Sequence, residues 1–256
     1  MSKMLDRIAI AGAGRMGRGI ALAFAWAGRP VTLVDSEARS AADFAALAAE
    51  VDAGLADEAR QLAAAGLLTE LELPALLDRI ELAARADAAE PLAAADVVFE
   101  AVLEVLDVKR DTYAWLSEAC SETAIFASTT STMLADTLAG FVSHPERYIN
   151  AHWLNPAYLM PLVEISPCAQ AQPANVESLR ALLESAGKVP VVCKASPGYI
   201  VSRVQALLLN EAARMVAEGV ATPEDIDRAI RCGFGPRYSV FGALEFIDWG
   251  GGDILY

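Results

Sequence analysis

The chain has few of the residues from which metal centres and disulfide frameworks are built. Of its 256 residues, two are histidine and four are cysteine, and no two cysteines form a C-x-x-C pair. Two histidines exclude a histidine-rich metal site, and no Cys/His cluster has the spacing of a zinc site. We therefore expect no bound metal, and we expect reduced cytoplasmic thiols rather than disulfides.

Positive charge is also scarce. Lysine and arginine together number 20 against 34 acidic residues, which gives a net charge of −14 at pH 7. Lysine occurs only at positions 3, 109, 188 and 194. Nucleic-acid-binding proteins usually carry a basic surface, so this composition argues against a nucleic-acid partner.

Long apolar runs are missing as well. Hydrophobic residues make up 55% of the chain, but no uncharged apolar run reaches the ~18 residues of a membrane span. The segment 1–7 runs almost directly into the first predicted strand, which leaves no room for a signal peptide. We expect a cytoplasmic protein of one or two domains that acts on a small molecule and not at a membrane.

Three glycines follow a short apolar run near the N-terminus. The run 8–11 predicts a buried strand, the glycines have G-x-G-x-x-G spacing, and apolar residues at helical spacing continue to Ala27. The first glycine allows a tight turn, the second lets the backbone approach a pyrophosphate, and the third lets the helix pack on the strand. Unpaired N–H groups at the start of the helix would face the phosphates. The predicted cofactor-binding loop is Gly12, Ala13, Gly14, Arg15, Met16 and Gly17.

The second apolar run, 31–34, ends in Asp35. A carboxylate at this position can accept hydrogen bonds from the adenosine ribose and would repel a 2′-phosphate, so the sequence predicts NAD rather than NADP. Arg39 is the nearby cation in the sequence that could favour NADP instead. A glycine-rich turn of another α/β protein is the alternative, but strand, helix and acid in this order favour dinucleotide binding.

The rest of the chain predicts a doubly wound α/β domain of the Rossmann type and then an all-α domain. Residues 37–83 predict a long helix and a helical hairpin, inserted after the second strand. Further strands are predicted at 96–100, 124–127, 148–152, 162–165 and 189–193, and their alternation with helices indicates a mainly parallel sheet. Beyond Lys194 only helices are predicted. The predicted domains are therefore 1–194, which binds the dinucleotide, and 195–256, which is helical.

Three polar residues follow or end predicted strands. His152 ends one strand, Glu164 lies on the next, and Ser131 follows an earlier strand end. Strand ends at one edge of a doubly wound sheet form the ligand crevice, so His152 and Glu164 are candidates for an acid/base pair. The residues alone leave alternatives open: a satisfied buried histidine with a surface acid, and a turn serine that caps a helix from Thr132.

At this point the chain resembles a family, the L-3-hydroxyacyl-CoA dehydrogenases. The matching stretches occur in order over nearly the whole length. They are 12–17, 99–104 with Lys109, 128–131, 152–156, 161–164 and 196–203. Residues 235–238 and 242–245 look closer to the branch with lambda-crystallin, L-gulonate dehydrogenase and carnitine dehydrogenase, whose members oxidise free hydroxy compounds.

The resemblance implies an NAD-dependent oxidation of a 3-hydroxyacyl-CoA in fatty acid metabolism. His152 would be the general base, Glu164 would orient the imidazole and support its charge, and Ser131 would hydrogen-bond the reacting oxygen. Three further matches would lie beside the nicotinamide ribose or ring: Glu104, Lys109 and Asn155. The resemblance also implies a homodimer that pairs through the helical domain.

The chain departs from the family in three ways. Ser202 stands where the family commonly has asparagine, at a predicted substrate contact. The chain ends at Tyr256 where the family's helical domain continues, so the predicted helical domain looks incomplete. Residues 37–72 hold eight acids but only two arginines, of which Arg60 is the predicted contact to CoA phosphates. A free hydroxy acid is therefore the alternative substrate, and a non-enzymatic NAD-binding structural protein is the alternative class.

Overall fold

The computed structural model of the chain describes residues 4–251. The chain divides into two compact units, Met1–Ile200 and Val201–Tyr256. The boundary that we predict from the sequence, at residue 194, lies shortly before this division. No helix within 4–251 combines the length and the apolar character that crossing a membrane requires.

The first unit is built on one eight-stranded sheet. Its strands lie in the order β3-β2-β1-β4-β5-β6-β7-β8. Every neighbouring pair is parallel except β6 and β7, which are antiparallel. The strands are β1 Ile8–Ala11, β2 Val31–Val34, β3 Ile80–Ala83, β4 Val97–Glu100, β5 Ile125–Ser128, β6 Tyr148–Trp153, β7 Leu162–Pro167 and β8 Val189–Val192.

Helices cover both faces of this sheet. Successive side chains of a strand point to opposite faces, and β1 shows the result. Ile8 and Ile10 belong to one buried apolar cluster, whereas Ala9 and Ala11 belong to the other. The α-helices of the first unit are α1 Arg15–Trp26, α2 Ala41–Ala64, α3 Leu73–Leu77, α4 Ala89–Ala94, α5 Leu106–Ala119, α6 Ala135–Ala139 and α7 Pro173–Ser185. The predicted Rossmann-type fold, with a helical segment after the second strand, is confirmed.

One strand was predicted as helix. Residues 80–83 form β3, which pairs in parallel with β2 at the edge of the sheet. Leucine, alanine and glutamate are good helix formers, and none of the four β3 side chains is fully buried. The conformation of β3 depends on backbone hydrogen bonds to β2, which a sequence pattern does not reveal.

The described part of the second unit contains helices and no strand. Thr222 caps the helix that begins at Pro223, because its hydroxyl accepts a hydrogen bond from the Asp225 N–H. The helices are α8 Val201–Ala217, α9 Pro223–Ala229, α10 Gly235–Tyr238 and α11 Ala243–Gly250, with a π-helical turn at Ile230–Phe234. Residues 252–256, which include the chain end at Tyr256, lie outside the described residues.

Candidate active site

The glycine loop has the shape of a phosphate cradle. Gly12 has φ of 112°, a conformation that favours glycine, and a Cβ there would lie 2.6 Å from the Ala101 oxygen. A Cβ on Gly17 would lie 1.8 Å from the Gly12 oxygen, whereas a Cβ on Gly14 would meet no atom within 4 Å. The backbone of the loop therefore packs closely at Gly12 and Gly17, whereas the space beside Gly14 is open. This arrangement fits a dinucleotide pyrophosphate at the start of α1.

A cleft of about 740 Å³ extends from this loop to the end of β2. Gly12, Gly14, Arg15 and Asp35 line it. The carboxyl ends of β1, β2 and β4 meet at this edge because the three strands are parallel. The cleft therefore lies where doubly wound sheets bind dinucleotides.

Asp35 is buried and already has polar partners. Its Oδ2 accepts a hydrogen bond from Arg39 Nε at 2.8 Å, and its Oδ1 accepts one from the Glu37 N–H at 3.1 Å. Arg39 also pairs with Glu37 Oε2 at 3.0 Å. The sequence indicated Arg39 as the one nearby cation, but the structure brings a second cation to this end of the cleft. Arg85 lies there too and donates to the Ser36 oxygen at 2.6 Å.

His152 and Glu164 are direct partners across the antiparallel pair of β6 and β7. Residues opposite each other in such a pair have neighbouring side chains on the same face. His152 Nδ1 lies 2.9 Å from Glu164 Oε2, and both side chains are buried. The Ile200 N–H donates to Glu164 Oε1 at 2.9 Å. Glu164 is therefore not the surface acid of the alternative interpretation.

Ser131 lies at the other ring nitrogen. Its Oγ is 3.1 Å from His152 Nε2. With the carboxylate of Glu164 at Nδ1, we assign the Nδ1–H tautomer, which leaves Nε2 as an acceptor. Ser131 does not cap a helix, because α6 begins at Ala135 with Leu134 as its cap residue. The three side chains form one hydrogen-bonded row at the carboxyl edge of the sheet.

Glu104 holds the turn that carries Ser131. Its Oε1 accepts hydrogen bonds from the N–H groups of Ser131 and Thr132, each at 3.1 Å, and from the hydroxyls of Thr130 and Thr132. Lys109 Nζ lies 3.2 Å from its Oε2. Burial acts to raise the pKa of Glu104, but the Thr130 hydrogen bond and the Lys109 charge outweigh it and lower this pKa. The site thus holds a carboxylate that stays ionised.

Sequence reasoning missed Glu100, which lies at the end of β4. It is fully buried and accepts hydrogen bonds from Lys109 Nζ at 2.7 Å, Ser128 Oγ at 2.6 Å and the Tyr113 hydroxyl at 2.9 Å. Burial raises the pKa of Tyr113, so its hydroxyl keeps its proton and can donate. The sequence does contain a signal for Glu100. An acid within an apolar strand is expected to be buried, and a buried charge requires partners.

The loop after β6 carries Asn155, which is exposed. Lys188 fixes this loop: its Nζ donates to the carbonyl oxygens of Ala157, Tyr158 and Met160 at 2.8, 3.3 and 3.1 Å. Burial lowers the pKa of Lys188 to about 8. Lys188, which directly precedes β8, thus binds the segment that follows Asn155.

The two predicted substrate contacts outside this row lie on helices. Arg60 is exposed on α2, and its Nη2 lies 3.7 Å from Asp57 Oδ1. Ser202 lies in the first turn of α8, within the second unit. Among residues 4–251, no group of three or more His, Cys, Asp or Glu side chains could hold a metal ion.

Two family models match the chain, one after the other. "3-Hydroxyacyl-CoA dehydrogenase, NAD binding domain" matches residues 7–196, and "3-hydroxyacyl-CoA dehydrogenase, C-terminal domain" matches residues 198–256. The first match contains the glycine loop and the row of Ser131, His152 and Glu164.

Individual relatives have different names. A lambda-crystallin homolog of Bos taurus is 34% identical over 239 residues, 93% of this chain and 72% of that protein. A 3-hydroxyadipyl-CoA dehydrogenase of Escherichia coli K12 is 36% identical over 252 residues, 98% of this chain and 50% of that protein. The match spans about half the length of several curated relatives.

Solved structures are similar too. The crystal structure of 5-formyl-3-hydroxy-2-methylpyridine 4-carboxylic acid 5-dehydrogenase, described as an NAD⁺-dependent dismutase, is 31% identical with a TM-score of 0.81. The comparison covers 98% of this chain and 78% of that one.

Proposed function

Because the chain belongs to the 3-hydroxyacyl-CoA dehydrogenase family, we propose that it is an NAD-dependent enzyme that oxidises an L-3-hydroxyacyl-CoA to the 3-ketoacyl-CoA. The observation that carries this proposal is the row Glu164–His152–Ser131, with separations of 2.9 and 3.1 Å. A protein that only binds NAD needs the glycine loop and Asp35 but has no use for this row. Its presence favours the enzyme over the structural alternative.

In this proposal each side chain has one task. His152 Nε2 accepts the proton of the substrate hydroxyl as general base. Glu164 keeps Nδ1 protonated, orients the ring and stabilises the imidazolium that forms. Ser131 donates a hydrogen bond to the reacting oxygen. The chemistry that bound NAD would supply is acceptance of the hydride from the carbon that carries this oxygen.

The cofactor has a matching set of residues. We assign the pyrophosphate to the glycine loop, residues 12–17, and the adenosine ribose to Asp35. Glu104, Lys109 and Asn155 are assigned to the nicotinamide ribose or ring. Lys109 has a second task, since its ammonium neutralises part of the charge of Glu100 and Glu104.

A free hydroxy acid is the second candidate substrate. The observation that favours it is the charge of the segment between β2 and β3. All its acidic side chains are exposed except those of Asp35 and Glu58, and Arg60 already has an acidic neighbour. A CoA tail carries several negative charges, and such a surface repels it. A structural neighbour named for a pyridine carboxylic acid points the same way.

One assay separates these candidates. NADH formation is measured with 3-hydroxybutyryl-CoA, free 3-hydroxybutyrate, L-gulonate and carnitine, with His152→Ala as the inactive control. We expect the thioester to have the highest kcat/KM. Turnover of a free acid alone rejects the CoA substrate, and no turnover of any hydroxy compound alongside normal NADH binding favours the structural alternative.

The remaining assignments concern the whole protein. We assign NAD binding and catalysis to residues 1–194, and substrate contacts and dimerisation to residues 195–256, including a substrate contact at Ser202. We further propose that the protein is a cytoplasmic homodimer of fatty acid metabolism.

A further inference from the structure

Tyr199 lies against the imidazole of His152. The two rings stack with centroids 4.6 Å apart and planes inclined by 4°. Tyr199 is buried, and it is the one residue other than glycine within 4–251 that has a positive φ, at 49°. A side chain tolerates this conformation only where its surroundings hold it. The contacts of Tyr199 therefore outweigh the cost of its backbone.

Hydrogen bonds fix the Tyr199 hydroxyl on two sides. It donates to the Thr130 carbonyl oxygen at 2.8 Å and accepts from Asn150 Nδ2 at 2.9 Å. Asn150 in turn accepts a hydrogen bond from the Tyr148 hydroxyl at 2.8 Å and donates to the Met133 oxygen at 2.9 Å. Burial raises the pKa of Tyr199, so its hydroxyl keeps the proton that it donates.

These contacts join three parts of the row. Thr130 directly precedes Ser131, so the hydroxyl holds the turn on which Ser131 lies. Ile200 directly follows Tyr199, and its N–H donates to Glu164. The ring itself covers one face of His152. One short segment therefore contacts the base, its carboxylate and the turn that carries the hydroxyl.

We infer that Tyr199 is a positioning residue that fixes the plane of the His152 imidazole relative to Ser131, a role that rests on the proposed function. The stacked ring opposes rotation of the imidazole, and the hydroxyl ties the ring to the Ser131 turn. An aromatic face also attracts a cation, so the ring favours the imidazolium that forms when His152 takes a proton.

Two substitutions of Tyr199 distinguish the role of its ring from the role of its hydroxyl. Tyr199→Phe keeps the stack but loses the two hydrogen bonds of the hydroxyl, so kcat should fall about fivefold. Tyr199→Leu loses the stack as well, and kcat should fall about 100-fold because the base is misplaced. The KM for NAD and the Kd for NADH should stay within about twofold, because both substitutions leave the glycine loop and Asp35 unchanged.

Tyr158→Phe is the matched control. Tyr158 and Tyr199 are each 6% exposed, and the Tyr158 hydroxyl makes a weak bond at 3.5 Å to Gln61 Oε1. This variant should keep wild-type kcat. A loss of kcat in Tyr199→Phe that Tyr158→Phe reproduces contradicts the inference, because removal of any buried hydroxyl would then suffice.

NMR provides a readout that needs no turnover. The protein has two histidines, and stacking shields the ring protons of His152 relative to those of the half-exposed His144. Tyr199→Leu should abolish this shift difference, and Tyr199→Phe should preserve it. If the shift disappears in Tyr199→Leu while the wild-type protein oxidises no hydroxy compound, the positioning stands and the proposed function fails. Unchanged His152 shifts and a kcat within twofold of wild type in Tyr199→Leu overturn the inference.

Discussion

At His152, the proposed chemistry depends on one ring nitrogen, Nε2, that can accept a proton. His152→Ala removes it and should lower kcat by ~10²–10⁴-fold, the usual contribution of a general base. The Kd for NADH should not change, because the glycine loop and Asp35 are untouched. Glu164→Gln should slow kcat by a smaller factor, since the amide can still accept the Nδ1–H bond but adds no charge. Steady-state kinetics and NADH fluorescence test both, and an active His152→Ala enzyme with normal pH dependence contradicts the mechanism.

Asp35 should make NAD the preferred cofactor. The carboxylate is held by Arg39 at 2.8 Å, and Arg39 must leave both Asp35 and Glu37 before it can reach a 2′-phosphate. We expect kcat/KM to be much higher with NAD than with NADP. Asp35→Ala should reduce the preference for NAD, measured as the ratio of kcat/KM with NAD to kcat/KM with NADP. The reason is that Arg39 and Arg85 then face the cleft without the buried acid. Equal kcat/KM values for the two cofactors in the wild-type enzyme reject the role of Asp35.

Glu104 should make the protein sensitive to acid. Its pKa is lower in the folded protein than the ordinary value of 4.5. The ionised form therefore stabilises the fold above this value, and the contribution is lost as the pH falls through the lowered pKa. Glu104→Gln should reduce the free energy of unfolding near pH 7 and have little effect at strongly acidic pH. Urea unfolding at several pH values measures this.

A control for this measurement is Glu184→Gln, which changes an exposed glutamate paired with Arg180. The effect of Glu104→Gln should be clearly larger and should vary with pH. Equal effects of the two substitutions at every pH contradict the stabilising role of the Glu104 contacts.

Among the elements, the central strands of the sheet are the ones that the sequence pattern predicts best. Apolar runs such as Val97–Phe99 lie in the middle of the sheet, where burial on both faces leaves a continuous apolar signal. Edge strand β3 carries no such signal and was predicted as helix. The antiparallel pairing of β6 and β7 was not predicted either, because two apolar runs do not reveal their relative direction.

The same limit applies to the site. The glycine loop, Asp35, Ser131 and His152 could be derived as residues at or after strand ends, and Glu164 as a residue on the next strand. The residues alone made His152 and Glu164 candidates for an acid/base pair, and the family resemblance favoured this pair over the alternatives. Glu100 and Tyr199 each make hydrogen bonds to site residues that are distant in the sequence, Glu100 to Ser128 and Tyr199 to Thr130. Asn150 and Tyr199 are 49 residues apart, so no local pattern joins them.

Helix α2 provides the test of the CoA substrate. Arg60→Glu should raise KM for a CoA thioester and steepen the effect of salt, because the substituted helix repels the phosphates more strongly. Arg110→Glu on α5 is a matched control, since both arginines are exposed and each lies near an aspartate three residues earlier. An unchanged KM in Arg60→Glu, or the same increase in both variants, shows that Arg60 does not contact the substrate.

For the whole molecule, we expect association through the helical unit. Three apolar side chains of α8 are at least 59% exposed: Val204, Leu207 and Leu209. Exposed apolar patches commonly mark contact surfaces, and light scattering should therefore report a dimer. Leu207→Glu places a charge on this surface and should shift the equilibrium towards monomer. A well-behaved wild-type monomer at all concentrations contradicts this prediction.

The antiparallel pairing of β6 and β7 makes the alignment of His152 with Glu164 a property of the main chain. Side chains alternate between the two faces along a strand, so a slip by one residue would send Glu164 to the opposite face from His152. Single-residue insertions within either strand should be inactivating. An insertion at exposed Leu159, in the connection between the strands, should disturb the Lys188 hydrogen bonds to this loop but leave His152 and Glu164 on the same face of the sheet. The length of the connection can therefore vary among related sequences while the alignment of His152 with Glu164 is kept.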